Sequence, residues 1–204
     1  MMVERNKHLG LAIALMIVFA ISRLPGLMPE NFSAAYAIAF CAGVFFPGAM
    51  AWWLPLGALF TTDIFLNIFY YNAPVISPFM VVIYVSYALI VLIGKKIGRS
   101  ASFLFLLTGG LLGAVLFYLI TNTLSWITDP AYSKSLIGWI QSITVGHPEF
   151  PPTWVFFKNT IISTGLFTGL FVGSMKIAES VSEDKAEENE EEPEGETSTE
   201  KADS

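Results

Sequence analysis

Residues 54–71 read LPLGALFTTDIFLNIFYY, an apolar and aromatic stretch that contains one carboxylate, Asp63. Between Glu30 and Lys95 the chain runs for 64 residues, and Asp63 is the only ionisable carboxylate among them. A charge inside apolar sequence is costly to bury unless protein or water surrounds it, so an ionisable residue within a membrane helix is a functional-site candidate by default. The stretch therefore predicts a membrane helix and makes Asp63 the first site candidate.

The composition of the chain predicts an integral membrane protein. Charged residues make up 14% of the 204 residues, against about 25% in soluble domains. Several apolar runs approach the ~20 residues that cross ~30 Å of hydrocarbon. The single cysteine, Cys41, excludes an intrachain disulfide, so nothing argues for an oxidised extracellular domain.

Six apolar segments predict an all-α membrane domain over residues 1–178 with six transmembrane helices. Proline and glycine end such segments because proline lacks a backbone donor and glycine disfavours helix continuation. The first two segments are short, so it stays open whether they cross fully; the first also resembles a cleavable signal peptide, but we expect it to be retained because further spans follow. The predicted spans are residues 8–24, 33–46, 50–71, 76–94, 101–127 and 155–176.

Basic residues predict the orientation. Cytoplasmic loops of membrane proteins carry an excess of Lys and Arg, which here favours cytoplasmic N- and C-termini. We therefore expect a multi-pass protein of the cell inner (plasma) membrane, embedded in the lipid bilayer. The predicted inner segments contain Arg5, Lys7, Lys95, Lys96, Arg99 and Lys176, and the outer ones contain Arg23, Lys134 and Lys158.

Acidic residues are concentrated at the C-terminal end. Residues 179–204 hold 12 of the 17 acidic side chains, together with two lysines. Segments with little apolar content and high net charge do not form a packed core. We expect residues 179–204 to be a disordered acidic cytoplasmic tail.

Small residues recur every fourth position in four predicted helices. Such stripes let a neighbouring helix backbone approach closely in lipid. They predict packing within the bundle or docking of a separate membrane subunit, and the helix-one stripe is the docking candidate. The packing stripes are Gly165, Gly169 and Gly173 in the sixth helix, Gly109 and Gly113 in the fifth, and Ala35, Ala39 and Gly43 in the second; the helix-one stripe is Gly10 and Ala14.

Polar side chains cluster in the predicted outer halves of the helices. Asp63 and Asn67 are four residues apart and share a helix face, and Tyr70 lies one turn further along it. Arg23 is the expected counter-charge for Asp63, with Lys158 as the alternative. Arg23 and Lys158 can each instead extend to lipid headgroups, and the Arg23–Asp63 pair can be purely structural, without ligand contact. The predicted ligand-binding residues are Asp63, Arg23, Asn31, Asn67, Tyr70, Asn122, Trp126, Lys158 and Asn159.

The chain lacks the short motifs of the common enzyme classes. It contains no GxxxxGK[ST] loop for nucleotide phosphates and no HExxH, CxxC or GxSxG string, and its two histidines lie far apart. We therefore expect a protein that is not an enzyme, holds no metal and no cofactor, and has no nucleic-acid partner.

Several short strings occur along the chain in an informative order. They are Arg23-Leu24-Pro25, Pro29-Glu30-Asn31-Phe32, Gly57-Ala58 before Thr61-Thr62-Asp63, Gly94-Lys95-Lys96, Thr121-Asn122 with Trp126, and Phe156-Phe157-Lys158-Asn159-Thr160. Over about residues 8 to 177, this order resembles an uncharacterised bacterial integral membrane family. That family is grouped with the substrate-binding (S) components of energy-coupling-factor (ECF) vitamin transporters.

The resemblance implies a six-helix, ECF S-component-like bundle that captures a vitamin or precursor-like small molecule from the outer face for uptake. In such systems a transmembrane coupling protein and cytosolic ATPases supply the energy. The AxxxA docking motif of typical S components is represented here only by Gly10 and Ala14. The alternatives are a non-transporting membrane scaffold or assembly protein that uses its glycine stripes and acidic tail, and an intramembrane enzyme with Asp63 as general base.

Overall fold

The computed structural model describes the backbone of residues 2–191 and the burial of Gly10 and of residues 13–181. Within residues 2–191 the chain forms seven α-helices and one π-helix, and no strand. The predicted all-α class is confirmed. The helices are α1 (Met2–Ser22), α2 (Ala35–Phe45), α3 (Met50–Leu66), which continues into the π-helix (Asn67–Tyr71), α4 (Pro78–Ile97), α5 (Phe103–Thr128), α6 (Leu136–Ile143) and α7 (Thr153–Glu191).

Four helical segments are long and apolar enough to cross a membrane, and two apolar helices are shorter. The long ones are Met50–Tyr71, Pro78–Ile97, Phe103–Thr128 and Thr153–Val181, and the shorter ones are Ile13–Ser22 and Ala35–Phe45. The 11 residues of α2 rise only about 16 Å, roughly half the ~30 Å of a hydrocarbon core. The helices fit a membrane protein, with four long apolar helices where the sequence predicted six spans.

Helix ends follow local sequence. Helix α4 begins with Pro78 in its first turn, where the missing N–H would have no intrahelical partner, and ends before Gly98, whose φ of 74° suits glycine. The Ser102 hydroxyl caps α5 by accepting from the Phe105 N–H at 3.3 Å. These ends set how far each helix reaches along the bundle.

Helix α2 is the centre of the bundle and contacts α1, α3, α4, α5 and α7. Every residue from Ala35 to Val44 is buried. At the α2–α4 crossing, a Cβ atom added to Gly43 would collide with the Val91 carbonyl oxygen, and one added to Gly94 would collide with the Phe40 carbonyl oxygen. Because lipid offers no hydrophobic driving force between helices, such close backbone approach is a main source of attraction there.

The other glycine stripes differ in what they contact. Gly109 and Gly113 of α5 are buried, and a Cβ would lie 2.8 Å from the Phe40 ring and 3.2 Å from Ile90, respectively. The α7 stripe is only half-buried: a Cβ would lie 3.8 Å from Leu111 at Gly165, 4.0 Å from Phe103 at Gly169, and would meet nothing within 4 Å at Gly173.

The predicted close helix contact along Gly165, Gly169 and Gly173 is therefore not formed. The face of α7 that is buried against the bundle carries Thr160, Thr164, Thr168 and Val172 instead. Thr168 packs against Gly110 of α5, where an added Cβ would lie 2.8 Å from the threonine hydroxyl. The small residue at this crossing lies on α5, and the glycine spacing of α7 alone does not reveal which face is buried.

Helix α7 continues to Glu191, past residue 176, where the sixth span was expected to end. The prediction of disorder therefore differs from the structure over residues 179–191, which are helical; residues 192–204 lie outside the described residues. Extending a formed helix needs no new nucleus, and Glu, Ala and Lys have high helix propensity. Arg99 anchors the extension because its guanidinium pairs with Glu179 at 2.9 Å and its carbonyl accepts from Lys176 at 2.9 Å.

Helix α6 lies across the end of α5 and α7 in the loop between them. It buries Gly138 and Ser142 and exposes Leu136 and Ile137. The Tyr118 hydroxyl of α5 donates to the Ile143 carbonyl at 2.5 Å. Helix α6 therefore turns its bulky apolar residues outward, as expected of a helix lying at a membrane surface.

Candidate ligand-binding cavity

A cavity of about 550 Å³ lies in the bundle beyond the N-terminal end of α2. Because α2 is short, no helix fills the space between its longer neighbours at this end. Residues at the closed end are buried and those at the mouth are exposed. The closed end includes Ala35, Tyr36, Leu59, Tyr87 and Thr160, and the mouth includes Met28, Glu30, Tyr70 and Tyr71.

Asp63 and Arg23 form an ion pair at the cavity wall. Their side chains are 13% and 21% exposed, respectively. One Asp63 oxygen accepts from Arg23, and the other accepts from the Tyr84 hydroxyl at 2.8 Å. The Arg23 guanidinium also lies 5.7 Å from the centre of the Phe19 ring, within the range of a cation–π contact. Asp63 is thus held by donors from two helices.

Not every hydrogen-bond donor of the Arg23 guanidinium is used. The guanidinium bonds to Asp63 through Nη2, whereas Nη1 is buried and has no hydrogen-bond partner among the described residues. A buried donor without an acceptor costs about 1–3 kcal/mol. A ligand acceptor, such as a carboxylate or carbonyl oxygen, would remove this cost, and a guanidinium binds carboxylates with favourable geometry.

An aromatic cluster closes the inner end of the cavity. The Tyr36 and Tyr87 rings stack at 5.7 Å with an interplanar angle of 16°. Phe117 packs edge-on against Tyr36 at 5.0 Å and lies 5.1 Å from Tyr87. All three side chains line the cavity, so its inner end offers ring faces and edges for a planar or apolar group.

The π-helix brings two tyrosines to the mouth of the cavity. Helix α3 changes to i→i+5 bonding over Asn67–Tyr71 and ends at Asn72, which has a φ of 49°. Tyr70 and Tyr71 both line the mouth, and their rings are 5.0 Å apart. Single-turn π-helices occur frequently at functional sites, where the wider turn redirects side chains.

Five of the nine predicted ligand-binding residues line this cavity. They are Asp63, Arg23, Asn31, Tyr70 and Asn122. Asn31 has a φ of 60° in the loop between α1 and α2, a conformation that asparagine tolerates well. Asn122 donates to the Tyr118 carbonyl of its own helix at 2.8 Å.

The other four predicted residues lie outside the cavity lining. Asn67 turns to the loop after α3 and donates to the Pro74 carbonyl at 3.3 Å, because the helix widens from this residue on. The Trp126 indole donates to the Ser133 carbonyl at 2.8 Å, and exposed Lys158 lies 5.8 Å from the Trp154 ring centre. Asn159 donates to the Glu30 carbonyl at 3.0 Å and so holds the loop that forms the mouth.

Sequence reasoning missed the tyrosines on the helices that face Asp63. Tyr84 contacts its carboxylate, and Tyr36, Tyr87 and Tyr118 line the cavity. One signal was available: a buried carboxylate has two oxygens to satisfy, and a single arginine bonded through one nitrogen leaves one oxygen free. Tyrosines in neighbouring apolar helices were the natural second donors.

The docking and metal expectations concern other parts of the molecule. Gly10 and Ala14 are exposed on α1, and a Cβ at Gly10 would meet nothing within 4 Å. Within the part of the chain that the structure describes, no group of three or more His, Cys, Asp or Glu side chains could hold a metal ion. The charged residues that line the cavity are Arg23, Glu30 and Asp63.

The fold and the cavity define a class: an all-α protein with long apolar helices that fit a membrane and a ligand-sized, partly polar cavity. The chain belongs to the family of unknown function DUF6580, whose model matches residues 3–187. No curated protein matches the chain. The resemblance to ECF S components stays a prediction, because the family description states no function.

Proposed function

We propose that this protein is the substrate-binding membrane component of an uptake transporter and that it binds its small-molecule substrate in the cavity beside Arg23. The Arg23–Asp63 pair carries the proposal, because it places a guanidinium and a carboxylate in the wall of a cavity among apolar helices. The volume of about 550 Å³ lies within the ~300–1,000 Å³ typical of ligand pockets.

In this proposal the chain crosses the inner membrane six times: the four long helices and α1 each cross, and α2 crosses together with the loop of residues 23–34 that precedes it. Both termini lie in the cytoplasm, as the basic residues favour, and the cavity mouth faces outward. The substrate is vitamin- or precursor-like, as the resemblance to S components implies. A separate coupling protein docks on exposed Gly10 and Ala14 of α1, and cytosolic ATPases supply the energy.

A thermal-shift screen of the purified protein against vitamins, their precursors and metal ions tests binding. A ligand that binds only the folded state stabilises it by about 2.7 kcal/mol at a concentration of 100 Kd. We expect such a shift for wild type, its loss in Arg23→Gln, and its retention in Lys158→Gln, a matched control outside the cavity lining. If no compound stabilises wild type, or Arg23→Gln responds like wild type, the proposed site is wrong.

Asp63→Asn separates a ligand-binding role from a structural one. We expect roughly tenfold weaker binding, about 1.4 kcal/mol, because the neutral amide no longer fixes Arg23, whereas the bundle stays folded. Loss of expression together with the absence of any stabilising ligand for wild type would instead indicate a structural ion pair.

Co-purification tests the transport partners. A coupling subunit and ATPases that remain with the protein through detergent extraction support an uptake transporter. A stable complex with unrelated membrane proteins would favour the scaffold alternative, in which the half-exposed α7 glycines and the acidic end contact other proteins.

A further inference from the structure

A second, apolar groove of about 280 Å³ lies between α1 and α3. Its walls include Ala20 of α1 and Thr61, Thr62 and Phe65 of α3. The Thr61 and Thr62 hydroxyls donate to carbonyl oxygens of their own helix at 2.8–3.1 Å, so their hydrogen-bonding capacity is used within α3. Phe65 is 54% exposed, so the groove opens on the outside of the bundle.

The groove and the cavity meet at shared residues. Arg23, Leu24 and Leu66 line both of them. Arg23 is therefore at the boundary between a partly polar space and an apolar one. The Arg23 side chain is 21% exposed, so its guanidinium can meet the polar end of a molecule that extends into both spaces.

The surroundings of the groove suit an apolar chain. Helix α1 packs only against α2 and α3 among the described elements, and its neighbouring residues Ile17, Val18 and Ile21 are exposed. In the membrane setting of the proposed function, this surface faces lipid. A chain in the groove exchanges one apolar environment for another, while its head gains the Arg23 donor.

We infer that the cavity's ligand is a single-chain amphiphile whose acceptor head group, such as a carboxylate, binds Arg23 and whose apolar chain lies in the groove between α1 and α3. This inference rests on the proposed function, since it specifies the substrate class of the same site. The ligand then reaches the cavity from the lipid layer, between α1 and α3, as well as from the aqueous mouth.

Binding of decanoate and butanoate to the purified protein tests this inference. Ala20→Leu fills the groove, and Ala49→Leu makes the same change at an exposed position at the start of α3, outside the groove and the cavity. We expect decanoate affinity to fall at least tenfold in Ala20→Leu and in Arg23→Gln and to stay unchanged in Ala49→Leu. Butanoate, which is too short to fill the groove, should bind wild type and Ala20→Leu alike. Because all variants are compared in the same detergent, partition of decanoate into the micelles affects each variant equally.

A second measurement does not depend on the folding of Ala20→Leu. Phe65→Trp places an indole in the groove wall at an exposed position, and decanoate brominated at its terminal carbon should quench the added fluorescence. Unbrominated decanoate should compete for this quenching, whereas decanol, which lacks the carboxylate, should compete at least tenfold less well.

Three results would overturn the inference. In the first, decanoate binds wild type and Ala20→Leu equally, or does not bind. In the second, decanoate binds without quenching the Phe65→Trp reporter. In the third, a co-purified diacyl phospholipid is lost in Ala20→Leu and retained in Arg23→Gln, which would make the groove an ordinary lipid contact. If other small molecules still stabilise wild type but not Arg23→Gln, only the amphiphile inference fails and the proposed function stands. If no small molecule stabilises wild type, the inference and the proposed function both fail.

Discussion

The two halves of the helix bundle differ in what occupies their centre. In one half α2 fills the centre, and Gly43 and Gly94 bring its backbone against that of α4. In the other half α2 has ended, and the same neighbours surround a cavity lined by Arg23, Asp63 and a cluster of aromatic rings. One short helix thus divides the molecule into a close-packed half and a hollow half.

The difference shows how two kinds of residue hold apolar helices together. In the close-packed half, glycine allows backbone contact, which gains dispersion energy over many atom pairs. In the hollow half, the Arg23–Asp63–Tyr84 bonds connect the residue that follows α1 with α3 and α4. A substitution should therefore act through steric overlap in the first half and through unpaired polar groups in the second.

The largest effect is expected at the glycine crossing. Gly94→Leu places a side chain on the Phe40 carbonyl, and such overpacking costs about 3 kcal/mol or more. Gly173→Leu is the matched control, because a Cβ there meets nothing within 4 Å, and should change stability by less than about 0.5 kcal/mol. Unfolding in detergent, followed by circular dichroism, measures both; equal losses would show that the close packing is not confined to the α2–α4 crossing.

The ion pair should give the next largest effect. A double-mutant cycle of Arg23→Gln and Asp63→Asn should show a coupling energy of about 1–3 kcal/mol, because each single change leaves a part-buried partner unpaired. The control cycle pairs Asp63→Asn with Lys158→Gln and should be additive within about 0.5 kcal/mol. A coupling energy near zero for Arg23 and Asp63 would mean that the hollow half does not depend on their bond.

Tyr84→Phe should have a smaller effect on the same network. It removes one hydrogen bond to Asp63 and should lower the free energy of unfolding by about 0.5–1.5 kcal/mol. Tyr71→Phe at the exposed mouth is the control, with an expected change below about 0.5 kcal/mol. If the two variants have equal stability in denaturant titrations, Tyr84 is not a third member of the network.

The smallest effect on stability is expected for the ion pair between Arg99 and Glu179, at the end of the close-packed half. The Arg99–Glu179 pair is at the surface, with Arg99 64% exposed, so Arg99→Gln should cost less than about 1 kcal/mol. The difference from wild type should shrink further in about 1 M salt, because exposed charges are screened. A larger loss that is independent of salt would mean that Arg99 fixes α7 through its other contacts.

Much of the hollow half could be predicted from the sequence. Asp63 is the only carboxylate in a long apolar region, and Arg23 is the basic residue nearest to it along the predicted outer side, so their pairing followed from the cost of a buried charge. Of the predicted face of Asp63, Asn67 and Tyr70, Asp63 and Tyr70 line the cavity. The prediction failed at Asn67 because the π-helix begins there and changes the angular spacing of side chains.

The close-packed half was harder to predict. The regular spacing of small residues marked α2, α5 and α7 alike, yet the closest approaches between helices involve Gly43 of α2 and Gly94 of α4, and Gly94 is in no predicted stripe. A glycine stripe shows that a neighbour can approach, but only the positions of the other helices determine whether one does. The extension of α7 to Glu191 was missed for a related reason, since composition alone does not show that a formed helix continues through an acidic segment.

The sequence by itself determined the all-α class, the apolar helices and the choice of Asp63 and Arg23, because hydrophobicity and isolated charges act locally along the chain. Tertiary structure decided that α2 ends inside the bundle, that its missing length leaves a cavity, and that tyrosines from α2 and α4 line it. These features depend on the relative lengths and distances of helices that are far apart in sequence. The residue spacing within one helix does not determine them.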